Sequence, residues 1–170
     1  MDNQPKWEQQ EKLSCIREWV GNLHVEAKRL FDKDGTHGNM IFCFDERNGL
    51  ISVNLIPQKV EHDQLNISIR NAVIEHNLYG IVFIGESWAY FIKENDHTAF
   101  QLLDGEMKVS ELNDEDKKEI LLVRMENSDG DCVVYWDEIL RGEKGVCLGI
   151  DKRISGEPSN WFLCHNSFGN

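Results

Sequence analysis

The stretch from Tyr79 to Ile92 constrains the fold more than any other part of the sequence, because it is the most apolar run in the chain. It is rich in aromatic and β-branched residues, which are favoured in strands and lose side-chain freedom in helices. We therefore expect a long central β-strand here. Gly85 lies within it, and an isolated glycine in a strand pattern indicates a bulge or a bend.

A pair of segments before this stretch predicts a β-hairpin. Met40 to Glu46 and Leu50 to Ile56 are joined by Asn48-Gly49, which suits a tight turn because both turn positions need positive φ. A two-residue loop fixes which residues face each other. The expected cross-strand pairs are Phe44 with Val53, Phe42 with Leu55, Asp45 with Ser52 and Cys43 with Asn54.

A second hairpin is predicted near the C-terminal half, where Glu119 to Glu126 and Cys132 to Leu140 flank Asp129-Gly130. The same two-residue geometry aligns Val123 with Trp136 and Met125 with Val134. A further tight turn is expected at Asp104-Gly105, after Ala99 to Leu103.

The N-terminal region predicts a long helix from Trp7 to Phe31, since apolar residues recur there at steps of three and four. Pro5 suits a first turn, and Gly35 suits a helix stop. The apolar stripe comprises Leu13, Ile16, Val20, Leu23, Ala27 and Leu30. We expect this stripe to dock on the chain's own sheet, with self-association of two chains through residues 13 to 30 as the alternative.

A second helix is expected from about Glu61 to Asn77, because Leu65, Ile69, Ala72 and Val73 have helical spacing. Ser110 to Lys118 predicts an exposed loop or a single helical turn. Two short strands are expected at Val146 to Ile150 and Trp161 to His165. No repeat and no low-complexity linker divides the chain.

These elements together predict one α+β domain over residues 1–170. We expect a mostly antiparallel sheet of roughly six to eight strands, with the long N-terminal helix and the second helix packed on one face.

The net charge of −12 opposes binding to phosphate backbones, and the 18 Lys and Arg residues are spread singly among acids. We expect no direct contact with nucleic acid. The charge fits a partner protein, a basic one included, although solubility alone also explains it. The oligomeric state is left open by the sequence.

Several features favour a cytoplasmic location. The five cysteines are scattered and odd in number, which is typical of buried thiols in a reducing compartment. The first residues lack the pattern of a signal peptide, and no apolar run approaches the roughly 18 residues that span a bilayer.

Familiar catalytic and cofactor motifs do not occur in the sequence. It contains no His-Glu-x-x-His pair for zinc, no glycine-rich phosphate loop and no Gly-x-Ser-x-Gly elbow. Cys164 and His165 are adjacent, but neighbouring residues on a strand point to opposite faces. We therefore predict no cofactor and no metal site.

Glu86 is the most unusual polar residue in the sequence, because it interrupts the most apolar predicted strand, two positions before Trp88. A carboxylate there must be exposed at a bend, paired with a base such as Arg124, or functional. We favour the structural explanations, since ion pairs also place carboxylates within sheets.

One set of short motifs resembles a known group. An apolar strand ends in Glu86-Ser87-Trp88, and Asp116-Lys117-Lys118-Glu119 leads directly into the next strand. Over about residues 72 to 135 this order resembles a loose group of small bacterial and phage proteins, in which arginine is usual where Lys117 stands and a proline usually precedes the aspartate. The resemblance supports the sheet and implies no activity.

We therefore expect a non-enzymatic protein that binds another protein through its acidic surface or sheet face, of an immunity, inhibitor or anti-defence type. The alternative is a metal-dependent hydrolase or nuclease using Glu86, Glu119 and Lys117. That alternative requires the Glu86 and Glu119 carboxylates to lie within about 5 Å of each other, close enough to share a cation.

Overall fold

The computed structural model describes residues 6–47, 49–57, 62–92, 95–149 and 152–155. Three α-helices are present there, with a 3₁₀ turn at Val109–Glu111: α1 Lys6–Asp34, α2 His62–Glu75 and α3 His97–Leu103. The strands are β1 Asn39–Phe44, β2 Leu50–Ile56, β3 Gly80–Ala89, β4 Lys118–Asn127, β5 Cys132–Gly142, β6 Gly145–Leu148 and β7 Lys152–Ser155. None of the helices in these ranges is both long enough and apolar enough to cross a bilayer.

All the strand pairs are antiparallel, and the sheet order is β2-β1-β3-β4-β5-β6, with β7 also pairing with β5. The α+β class is confirmed, as are both long predicted helices. The strand predicted at Tyr79 to Ile92 is β3, at the centre of the sheet, and it runs from Gly80 to Ala89.

Both faces of the sheet are apolar, and each is covered by a different helix. On one face the buried stripe of α1 packs against Phe44, Val82 and Val123. On the other face Ile69 and Val73 of α2 pack against β1 and β3. The two long helices therefore lie on opposite faces, whereas the sequence suggested a shared face, because alternate residues of β3 point to opposite sides and both sets are apolar.

The apolar stripe of α1 is buried against the chain's own sheet. Ile16, Val20 and Ala27 are almost completely buried, and Leu23 packs against the same core. Self-association through residues 13 to 30 would require α1 to leave the sheet, so this alternative is not supported.

The register predicted for the first hairpin is wrong by two residues. Phe42 faces Val53 and Cys43 faces Ser52, with a bulge before Phe44. The loop runs from Asp45 to Gly49, whose backbones are hydrogen-bonded, and the Asp45 carboxylate accepts from the N–H groups of Arg47 and Gly49. A side chain that binds its own loop in this way replaces the two-residue turn. Asn48 itself lies outside the described residues.

The second hairpin closes by the same device, and its predicted register is wrong by one residue. Val123 faces Tyr135 and Met125 faces Val133. Asn127 closes this loop as Asp45 closes the first. Its backbone N–H donates to the carbonyl of Asp131, and its Oδ1 accepts from the N–H groups of Asp129 and Asp131.

The two glycine predictions have different outcomes. Gly85 forms no bulge, because the pairing of β3 with β4 runs through it without a shift. A side chain there would instead collide with Asn39, since an added Cβ would lie 2.1 Å from Asn39 Oδ1. The tight turn predicted at Asp104-Gly105 is present: it follows α3, and Gly105, at φ +76°, ends that helix.

The tail is partly described. The strand predicted at Val146 to Ile150 is present as β6, and β7 was not predicted as a strand. The strand predicted at Trp161 to His165, with Cys164, lies outside the described residues. Ser110 to Lys118 holds a single 3₁₀ turn, as predicted.

Replacing Asn127 with alanine is expected to lower the free energy of unfolding by about 2–3 kcal/mol, as measured by urea denaturation. Asn127 is buried, and its amide nitrogen also donates to Tyr79 and Asp131, so the variant removes several hydrogen bonds at a buried position. Asp45→Asn is the control, because it keeps the acceptor oxygen of the exposed first loop and should change stability by about 0.5 kcal/mol or less. Equal losses in the two variants would contradict this account.

Candidate functional site

The predicted polar residues Glu86 and Glu119 lie on the same face of the sheet as α1. The pairing of β3 with β4 places Glu86 opposite Leu121 and Trp88 opposite Glu119. Leu121 belongs to the core beneath α1. The structure therefore brings together the two carboxylates that the sequence singled out.

Arg141, at the end of β5, bridges these two carboxylates. Its Nε and Nη2 each donate to one oxygen of Glu119 at 2.7 Å, and Nη2 also lies 3.2 Å from Glu86 Oε2. A guanidinium that engages both oxygens of a carboxylate gives the strongest geometry for such a pair. The Glu119 carboxylate raises the pKa of Arg141 above its ordinary value, against the opposing effect of desolvation.

The second oxygen of Glu86 binds the loop that follows α1. Oε1 accepts from Thr36 Oγ1 at 2.8 Å and from the backbone N–H of His37 at 2.6 Å. Glu86 therefore ties three parts of the chain together: this loop, the end of β3 and the end of β5. We call Glu86, Glu119 and Arg141 the arginine-centred cluster.

The chemistry of this cluster is that of an ion pair. Each carboxylate oxygen of Glu86 and Glu119 accepts at least one hydrogen bond, and the cation between them is a guanidinium. Within the described ranges, no three His, Cys, Asp or Glu side chains converge in a way that could hold a metal ion. A divalent cation at this point would have to displace Arg141.

Lys117 and Arg124 do not take their predicted places. The Lys117 ammonium lies 4.7 Å from the centre of the Trp88 ring and donates to the carbonyl of Ser110 at 3.1 Å. Arg124 faces the opposite side of the sheet from Glu86, where it pairs with the buried carboxylate of Glu126 at 2.7 Å. The partner of Glu86 is Arg141 and not the predicted Arg124.

Replacing Arg141 with methionine is expected to destabilise the fold by about 1 kcal/mol, because the Arg141 side chain is 46% exposed and solvent screens its ion pairs. Lys118→Met is the matched control: it removes an exposed ion pair with Glu138 and a distant contact of the ammonium with the Phe91 ring, and it should cost about 0.5 kcal/mol or less. Urea unfolding at low and high salt measures both losses. An Arg141 loss no larger than the Lys118 loss would show that the bridge adds nothing.

A second polar cluster is buried between α1 and β5. Asp137 is completely buried; its Oδ2 lies 2.6 Å from His24 Nε2, and its Oδ1 lies 3.1 Å from Lys28 Nζ. The His24 ring stacks on Tyr135 with centroids 4.6 Å apart. No sequence motif marks this cluster; its one signal in the sequence is that His24 falls on the buried stripe of α1, one helical turn after Val20.

This cluster has the His-Asp pair found in many catalytic sites, but its burial argues for a structural role. His24 is 4% exposed, so a substrate has no route to its ring. Burial raises the pKa of Asp137, but hydrogen bonds from His24 and Lys28 outweigh burial and hold that pKa below its ordinary value of 3.8. The cluster therefore anchors α1 to β5 as a charged group.

Asp137→Asn is expected to lower the free energy of unfolding at pH 7 by about 3 kcal/mol, because it removes the charge that compensates Lys28 in a buried site. Since the folded-state pKa of Asp137 is depressed, its stabilising contribution is present above pH 3.8 and is lost as the pH falls through the folded-state value. Unfolding curves at pH 7 and pH 3 should show the two proteins converging in acid. A constant difference across this range would contradict the assignment.

The third candidate is a groove beside the edge of the sheet. A cavity of about 530 Å³ lies between α2 and the β1–β2 hairpin. Its inner wall is formed by apolar side chains, among them Ile41, Ile69 and Ile81, and the exposed Asn54, Ser68 and His76 add polar groups. We call this cavity the α2 groove.

The strand that borders this groove, β2, lies at the end of the sheet order. It contains no charged residue, no proline and no glycine, and its side chains are largely exposed. Leu55 is 76% exposed and Ile51 is 51% exposed. An uncharged apolar edge strand is unusual, because natural sheets commonly protect such edges with charges or proline.

Comparison with known families places this chain. A family model described as Bacteriophage lambda protein ea47 matches residues 3–162. The chain belongs to this family. No curated protein and no solved structure matches it.

The family match confirms the resemblance to phage proteins at the level of a phage family. It does not bear on the motifs at Glu86-Ser87-Trp88 and Asp116 to Glu119, whose link to a family stays a prediction.

Proposed function

We propose that this phage protein is non-catalytic and acts by binding another protein in the α2 groove. The observation that carries the proposal is an apolar cavity of about 530 Å³ that opens beside an exposed, uncharged edge strand. Apolar concave surfaces with a few polar groups at their border are the usual form of a binding site.

The proposed occupant is a short basic segment of a partner protein whose apolar side chains enter the cavity. The apolar inner wall of the groove favours apolar side chains, because their burial removes them from water. The net charge of −12 favours a basic partner, since it attracts positive charge over long distances and speeds encounter.

A non-catalytic role is supported by the two polar clusters. Arg141 occupies the position between Glu86 and Glu119 that a metal-dependent hydrolase would need for its cation. The His24-Asp137 pair is buried beneath α1. An immunity, inhibitor or anti-defence role in the host cytoplasm fits the small size, the acidic surface and the scattered thiols of the chain.

A matched pair of tryptophan variants tests the proposal. Ser68 is exposed and lines the groove, whereas Asn71 is exposed on the same helix but does not line it. Ser68→Trp should fill the groove and reduce binding of the partner at least about tenfold, which corresponds to the loss of roughly 1.4 kcal/mol. Asn71→Trp adds the same side chain elsewhere and should bind like the wild type.

The measurement is quantitative affinity capture from host cells, followed by titration of the purified partner against the three proteins. Specific loss in Ser68→Trp supports the groove as the site. The proposal would be overturned if the partner bound Ser68→Trp and Asn71→Trp with equal affinity. It would also be overturned if the wild type captured no host protein in larger amount than Ser68→Trp does.

A further inference from the structure

The edge strand β2 has a hydropathy pattern that reads the same in both directions. About the central Val53, Ser52 is matched by Asn54, and Ile51 is matched by Leu55. At the ends of the strand, Leu50 is matched by Ile56. Alternation of apolar and polar residues gives any strand part of this symmetry. The symmetry also lets β2 pair with a copy of itself so that like residues lie opposite each other.

We infer that β2 pairs antiparallel with β2 of a second copy of this chain, with the two-fold axis passing beside Val53. In a two-fold dimer the same surface is used twice, so each residue faces its counterpart across the axis. This register places apolar opposite apolar at Ile51 and Leu55, polar opposite polar at Ser52 and Asn54, and Val53 opposite itself. Such cross-strand pairs are the units that stabilise a sheet.

Charge restricts the surfaces through which two copies can pair. Two chains that each carry −12 repel each other, so they can approach closely only where acidic side chains are absent. No residue of β2 is charged, and its exposed side chains Ile51, Val53 and Leu55 are apolar. The strand therefore offers the two copies a neutral contact that buries apolar surface.

The dimer brings two grooves together. A two-fold axis between antiparallel strands is perpendicular to the sheet, so each face of one copy continues into the same face of the other. Both α2 helices then lie on the same side, and the two α2 grooves face each other across a floor made by β1, β2 and their counterparts. The juxtaposition of the two grooves matters only if the proposed function is correct, because it makes the second copy part of the binding surface. The pairing of the two β2 strands does not depend on the proposed function.

Charge variants at the two-fold axis test the pairing. Val53→Lys and Val53→Glu each place like charges opposite one another, and each should weaken association at least about tenfold. An equimolar mixture of the two variants places lysine opposite glutamate and should restore the dimer. Ile74→Lys and Ile74→Glu change a similarly exposed side chain on α2 and should leave association unchanged.

The measurement is sedimentation velocity with light scattering, under reducing conditions because Cys147 is exposed. The wild type is expected to dimerise as its concentration rises, with a dissociation constant on the order of 100 μM or lower, as weak interfaces do. A wild type that stays monomeric over this range, dimeric Val53 variants, or a mixture that stays monomeric would overturn the inference.

The outcome is separable from that of the proposed function. Ser68→Trp should remain dimeric, because Ser68 lies on α2 and outside β2. Loss of partner binding by Ser68→Trp in a monomeric wild type would sustain the proposed function and remove the dimer. If the wild type is a dimer and Ser68→Trp binds the partner as tightly as the wild type does, the dimer is supported and the proposed function is not.

Discussion

The structure depends on a central strand that is apolar on both faces. Val82 and Ile84 of β3 point toward α1, while Ile81 and Phe83 point toward α2, and all but Phe83 are fully buried. A strand of this kind is stable only when each face is covered, so it requires a helix on each side of the sheet. The apolar pattern ends at Glu86, where the arginine-centred cluster begins. Beyond β1 the cover is incomplete, and this leaves the α2 groove and the exposed edge.

Much of the fold could be predicted because the signals are local. The stripe from Ile16 to Leu30 and the apolar run from Tyr79 onward each determine their own element through side-chain periodicity. The registers could not be predicted in this way. Asp45 and Asn127 each close a longer loop by binding backbone N–H groups two and four residues ahead, so the Asn-Gly and Asp-Gly pairs beside them do not set the turn.

The register error explains why the partner of Glu86 was missed. The predicted alignment of β4 with β5 was shifted by one residue, and such a shift turns every side chain of β5 to the opposite face. With the actual register, Arg141 lies on the same face as Glu119 and Glu86, and Asp137 lies beneath α1 within reach of His24. The unusual residue, Glu86, was therefore visible in the sequence, whereas its partner was fixed only by long-range pairing.

Within the described ranges, β3 is covered on both faces, whereas the outer edge of β2 pairs with no other strand. Hydrogen exchange of the backbone amides, followed by mass spectrometry in dilute solution, tests this arrangement most directly. Amides in residues 80–89 and 118–127 should exchange only through global unfolding, and those in residues 50–56 should exchange at least about a hundredfold faster. Protection of residues 50–56 equal to that of the central strands, at concentrations where the chain is monomeric, would contradict the account.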